Sequence, residues 1–184
     1  MGRNYLCSIF ILLTFLPFYP SQDLFAETSL DAGLHQTEEY GKEGKLDFAF
    51  LELRDLLQRY PKDSHVPEIE FAVAEYLFLQ KNFSEARETF QNCLSKIKHD
   101  STPRFLTQVY LLICLEKMGG RSASNDLLAQ LKKELSSQGL FLAFDDKRTY
   151  TWRSLLGTLY TLNEFVDRLE ILKNGKPFYT LTIP

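Results

Sequence analysis

The sequence is poor in the residues from which reactive centres are built. Its 184 residues hold three cysteines, three histidines, two methionines and one tryptophan. Cys7, Cys93 and Cys114, and His35, His65 and His99, are widely scattered. They leave little material for a metal site, and neither a metal nor another cofactor is expected. GxSxG, HExxH, CxxC and a phosphate-cradling glycine loop are all missing. Asp145-Asp146 runs directly into Lys147-Arg148 and reads as a strand–turn junction rather than an acid/base pair. No catalytic residue emerges, so a non-enzymatic role is expected. An excess of positive charge is missing too, with 21 Lys and Arg against 24 Asp and Glu and a net charge of −3. That balance excludes a general phosphate-backbone binder, and no nucleic-acid partner is expected. The longest apolar run near the N-terminus, Leu6–Phe18, has thirteen residues. A membrane-spanning helix needs roughly 20.

That short run has a different meaning. Arg3 supplies a positive start, Pro17 and Pro20 end the apolar stretch, and Leu24-Phe25-Ala26 places a small residue before Glu27. Residues 1–26 are therefore expected to be a signal peptide cleaved after Ala26, the alternative being an uncleaved N-terminal anchor. Cys7 stands at the front of the run, not behind it, and does not read as a lipid-attachment cysteine. The mature chain is expected to have no transmembrane segment and to be exported. It would be periplasmic in a two-membrane bacterium, secreted or on the surface in a single-membrane one. An oxidising compartment would permit a Cys93–Cys114 bridge. Both cysteines lie inside helical patterns, however, and read better as two buried thiols.

Hydrophobic residues at 45% and charged residues at 24% are ordinary for a globular chain. The length fits one domain, or one with a small appendage. Residues 27–137 read as helices in pairs. Leu46, Ala49, Phe50, Leu53, Leu56 and Leu57 fall at helical spacing until Pro61. Pro67 opens EIEFAVAEYLFLQ, and Asn82 with Glu85 caps SEARETFQNCLSKI. Thr102-Pro103 opens RFLTQVYLLICLEKM, Gly119-Gly120 closes it, and SNDLLAQLKKEL is the last helix.

Residues 138–184 change character, with aromatics, threonines and turn signals in place of helical periodicity. LFLAF, KRTYTWRS, GTLYTL, DRLEILK and PFYTLTI read as short strands of a small antiparallel sheet docked on the last helices. Asn174-Gly175 is the strongest hairpin signal, because both residues tolerate positive φ. Aligned on that turn, Ile171 pairs with Phe178. Pro177 cannot donate a ladder hydrogen bond and marks an edge strand or a strand start.

A repeat runs beneath the helices. Ala49, Ala86 and Ser124 are spaced by 37 and 38 residues. Each follows a turn by about five residues and precedes apolar residues four and seven positions on: Leu53 and Leu56, Phe90 and Cys93, Leu128 and Leu131. One such unit cannot bury its apolar face alone, so units must stack. Here the chain resembles the tetratricopeptide repeat (TPR) family, whose unit is roughly 34 residues of helix–turn–helix. Tyr40, Gly44, Ala49 and Pro61 match that pattern in the first unit, as do Ala74, Ala86 and Phe90 in the second. The Tyr60-Pro61-Lys62-Asp63-Ser64 turn resembles those of bacterial outer-membrane assembly lipoproteins and of the Tol–Pal coordinator. The third unit departs from the pattern, with Ser124 for alanine and no closing proline.

The resemblance implies a mainly α chain, a TPR-like helix–turn–helix solenoid of about three units followed by the small antiparallel sheet. It also implies a groove lined by the first helix of each pair. Carried across, the groove positions are Leu34, Glu38, Glu68, Phe71, Glu75, Phe78, Leu79, Val109 and Ile113. Aromatics flanked by carboxylates would suit a segment with apolar anchors and basic residues. The commoner outcome at such positions is that Phe71, Phe78, Val109 and Ile113 are core, and that Glu38, Glu68 and Glu75 are solvated helix-face charges. Trp152, Tyr160, Phe165 and Tyr179 would form a recognition patch if exposed together. The commoner outcome is that such residues build the core of a small sheet. The leading expectation is a scaffold that binds another envelope or periplasmic protein, of undetermined oligomeric state. The alternative is a periplasmic small-molecule or glycan-binding protein using the helix/tail junction.

Overall fold

Six helices precede four strands in the computed structural model, which describes residues 29–97, 101–138, 148–165 and 167–182. The expected signal peptide and the LFLAF strand lie outside the described residues, as do His99 and Asp145-Asp146. The helices are α1 (Leu30–Lys42), α2 (Leu46–Arg59), α3 (Val66–Leu79), α4 (Phe83–Lys96), α5 (Thr102–Lys117) and α6 (Arg121–Gln138). Each packs on its neighbours in the chain, and α3 also touches α5. No helix among the described residues is long and apolar enough to cross a membrane.

Local chemistry sets these boundaries. Asn82 Oδ1 accepts from the Glu85 N–H while Asn82 Nδ2 donates to the Glu85 carboxylate at 2.7 Å, capping α4. The cap of α5 is Ser101 rather than Thr102, its Oγ accepting from the Arg104 N–H. Three hairpins, α1/α2, α3/α4 and α5/α6, close on one turn geometry. Gly44, Lys81 and Gly119 have left-handed backbones, with φ of 73°, 62° and 80°. Each donates its N–H three residues back, to Gly41, Phe78 and Glu116, and the next N–H reaches five residues back, to Tyr40, Leu77 and Leu115. This is the Schellman closure of a helix end, repeated at the spacing read from the sequence. The small residues five positions further on, Ala49, Ala86 and Ser124, are all buried. The chain is thus built of helical repeats.

Lys81 is the exception among the three turns, because a side chain resists the left-handed region. Lys81→Gly should stabilise the protein by about 0.5–1 kcal/mol, read as a raised urea midpoint. An unchanged or lowered midpoint would refute the assignment of strain there.

The strands β1 (Arg148–Arg153), β2 (Leu159–Glu164), β3 (Arg168–Lys173) and β4 (Lys176–Thr182) form one antiparallel meander in the order β1-β2-β3-β4. Asn174 (φ 50°) and Gly175 (φ 75°) make the expected tight turn, and β4 with its Pro177 is an edge. The predicted Ile171–Phe178 pair does not form. Leu172 opposes Pro177 and Ile171 opposes Tyr179, so Phe178 is the extra residue of a β-bulge. Tyr160, Leu162, Leu169, Ile171 and Leu181 are buried and join the helix residues in one hydrophobic cluster.

The helices differ in how many sides they bury. In α2 a single stripe, Ala49, Leu53 and Leu56, is buried, and in α4 only Ala86, Phe90 and Cys93. In α5 every residue from Phe105 to Cys114 is buried, and in α3 nine of fourteen are. A helix apolar on all sides must be covered on all sides. Here α3 and α5 lie between their partner helices and the sheet. The sheet also reaches α1: a Cβ added at Gly41 would lie 2.6 Å from the carbonyl carbon of Leu156. Only glycine lets those two backbones meet.

Candidate functional site

The sheet places a lysine under itself. Trp152, Tyr160 and Lys173 stand opposite one another on β1, β2 and β3, and so share the face turned to the helices. Across from them α3 contributes Phe71 and Glu75, one helical turn apart, and α5 contributes Tyr110. Glu75 is fully buried, and the Lys173 side chain is 19% exposed. Glu75 Oε1 accepts from Lys173 Nζ at 2.9 Å and from the Tyr160 hydroxyl at 2.6 Å. The Tyr110 hydroxyl lies 2.5 Å from that of Tyr160 and accepts from Lys173 Nζ at 3.0 Å. Glu75 Oε2 is buried with no hydrogen-bond partner.

Aromatic rings surround this polar knot. Lys173 Nζ is 5.6 Å from the Tyr110 ring centre, 5.7 Å from Tyr160 and 5.8 Å from Phe178, within cation–π range of all three. Trp152 meets Phe71 edge-on at 4.8 Å and stacks on Tyr160 at 5.8 Å. Phe78 meets Tyr110 edge-on at 4.8 Å. Burial, and secondarily the Glu75 charge, holds the Tyr110 and Tyr160 phenols well above their ordinary value. Both keep their protons at neutral pH and act as hydrogen-bond donors. The constellation can hold an ammonium group by charge, hydrogen bond and ring faces together.

The structure brings Phe71, Glu75, Phe78, Trp152 and Tyr160 into this one cluster. The other groove positions are dispersed. Leu34 is half-buried against the core, Glu38 is exposed and Leu79 is 42% exposed. Glu68 is half-buried, and burial raises its carboxyl, with His65 opposing and Glu38 adding to the shift. Val109 and Ile113 are buried in the core. Phe71, Glu75, Val109 and Ile113 therefore present no open groove surface in this structure. In the aromatic tail, Phe165 lies apart under the Arg168 guanidinium, 4.1 Å from its ring centre. Tyr179 is half-buried opposite Ile171. The helix/tail junction proposed for a small ligand is occupied by the chain's own Tyr160, Lys173 and Phe178.

Sequence reasoning missed Tyr110, Lys173 and Phe178. The bulge that turns Phe178 toward Tyr110 at 5.1 Å has no local signal in PFYTLTI. One signal was available: the all-round apolar character of α3 and α5 implies a covering layer where an open groove was expected.

Cys93 and Cys114 are buried free thiols. Cys93 Sγ donates to the Pro67 carbonyl at 3.1 Å. Burial pushes the Cys93 thiol up to about 12 and Cys114 to about 11, from an ordinary 9.0. Neither should react with iodoacetamide at neutral pH until the chain unfolds. These thiols and the two phenols hold their protons more tightly when folded. The stability they contribute is complete below pH 9 and falls as pH rises toward 11–12, where the unfolded groups ionise first. A urea midpoint that rose over that interval would contradict the assignment.

Compared with protein-family models, curated proteins and solved structures, the chain matches none of them.

Proposed function

We propose that the chain is an exported, non-enzymatic scaffold that mediates protein–protein interaction in a bacterial cell envelope, built as a TPR-like solenoid of about three units. The observation that carries this reading is the repeat architecture: matched Schellman turns at Gly44, Lys81 and Gly119, each followed five residues on by a buried small residue. Stacked helical repeats of this kind offer extended surfaces suited to binding other polypeptides. On this reading residues 1–26 direct export, and the partner is another envelope or periplasmic protein.

The test is in-cell crosslinking of the tagged full-length chain, with mass spectrometry of what is captured. One dominant envelope protein, crosslinked to lysines of the helical repeats, is the expected result. Sparse crosslinks that merely track protein abundance, from a chain demonstrated to be exported and folded, would sink the proposal.

A further inference from the structure

We infer that the outer edge of β4 pairs with the same edge of a second copy of this chain, Tyr179–Thr182 running antiparallel about a two-fold axis at Leu181. The inference is independent of the scaffold reading above.

Backbone direction carries it first. The Arg168 carbonyl accepts from the Phe165 N–H at 2.8 Å, so Arg168 and Glu170 turn their backbone polar groups toward β2. Leu169 and Ile171 then turn theirs toward Leu181 and Tyr179 of β4, and Thr180 and Thr182 point theirs away from the sheet. Among the described residues nothing bonds those outward groups. A row of unpaired N–H and C=O groups is a template for another strand. Protection is confined to the first half of β4, where Lys176, Pro177 and the bulge at Phe178 oppose pairing. Tyr179, Thr180, Leu181 and Thr182 carry no charge and no proline, and have the composition of a paired strand. The other edge, β1, begins and ends with arginine. Helix packing lies toward that side: α5 packs on β1, and Gly41 of α1 meets Leu156 between β1 and β2.

Charge selects a second copy and fixes its register. Glu170 stands opposite Thr180 and Arg168 opposite Thr182, so each row of the sheet shares one face, and both threonines are exposed. With the axis at Leu181, Thr180 meets Thr182 of the second copy in reciprocal bonded pairs. Each row across the joined sheet then runs from Glu170 of one chain to Arg168 of the other. An axis at Thr180 would align Glu170 with Glu170, and one at Thr182 would align Arg168 with Arg168. Threonine pairs support a ladder, and complementary charge sets its register.

The experiment is sedimentation equilibrium of the native protein, as the cell processes it, between about 5 and 500 μM, since so small a contact associates weakly. The average mass should rise toward that of two chains and stop there, because a two-fold contact is closed. Amide exchange at Thr180 and Thr182 should slow at least about ten-fold over that range, while Tyr179 and Leu181, bonded to β3, stay unchanged. Thr180→Lys with Thr182→Lys sets like charges opposite one another and should abolish the dimer. Thr180→Lys with Thr182→Glu sets opposite charges there and should retain it. If the first variant does not fold, Thr180→Pro, which deletes one outward N–H and no bond to β3, takes its place with the same expected loss. Equal association by the two charged variants would overturn the inference. So would a dimer whose Thr180 and Thr182 amides exchange as in the monomer. A chain monomeric throughout would overturn it as well, and would leave the edge to an extended segment of another protein.

Discussion

Phe71→Ala should destabilise the protein by about 3–5 kcal/mol, the usual cost of emptying a buried aromatic site. For a chain of this size that corresponds to a fall in Tm of about 6–20 °C. Phe71 is fully buried and touches four rings from three layers: Phe90 at 5.6 Å, Tyr110 at 5.8 Å, Trp152 at 4.8 Å and Tyr160 at 6.1 Å. Its removal takes support from α4, α5 and the sheet together, and rigid neighbours cannot close the void. Near-UV circular dichroism should weaken as well, since the ring cluster around Trp152 loses its centre. Leu51→Ala is the matched control. Leu51 is 64% exposed, and its truncation should stay within about 0.5 kcal/mol. A Phe71→Ala loss below about 1 kcal/mol would mean that the sheet does not rest on α3 as described.

The second large effect concerns the buried ion pair. Lys173→Met alone should cost about 3–5 kcal/mol, because it strands the Glu75 carboxylate in a fully buried position. Glu75→Leu combined with Lys173→Met should come within about 1–3 kcal/mol of the native chain, far less than the sum of the single losses. The two desolvation costs vanish together, the Tyr110 and Tyr160 hydroxyls, 2.5 Å apart, keep the one hydrogen bond between them, and the remaining O–H, without Glu75 to accept it, accounts for the residual loss. Chemical denaturation of the native chain, both single variants and the double variant closes the cycle. A double variant as unstable as the sum of the singles would show that the pair contributes little coupling. The role of Glu75 and Lys173 would then have to be sought in their individual packing.

Much of the helical half was legible in the residues themselves. The 37- and 38-residue spacing marked Ala49, Ala86 and Ser124, and all three prove buried just after matching turns. Glycine stands at two of those turns, where a left-handed backbone is needed. Asn174-Gly175 likewise identified the final hairpin, since few other dipeptides adopt positive φ twice. These signals work because turn chemistry and helical periodicity act over a handful of neighbouring residues. The register beyond the turn was not legible. A bulge costs no particular residue type, and the shift from Phe178 to Tyr179 opposite Ile171 depends on which ring fits against Tyr110.

The sequence by itself determined the repeats, the change from helix to strand after α6, and the tight turn of the β3/β4 hairpin. Only the tertiary structure decided that the sheet covers α3 and α5. That arrangement turned Phe71 from a groove residue into the centre of a core, and made Lys173 the partner of a glutamate 98 positions earlier. The physical reason is that periodicity reveals which side of a helix is apolar but not what covers it. An apolar face can be buried against a repeat, a partner or the chain's own sheet at similar gain per unit area. The choice among them is made by long-range contacts between residues that carry no local mark of one another.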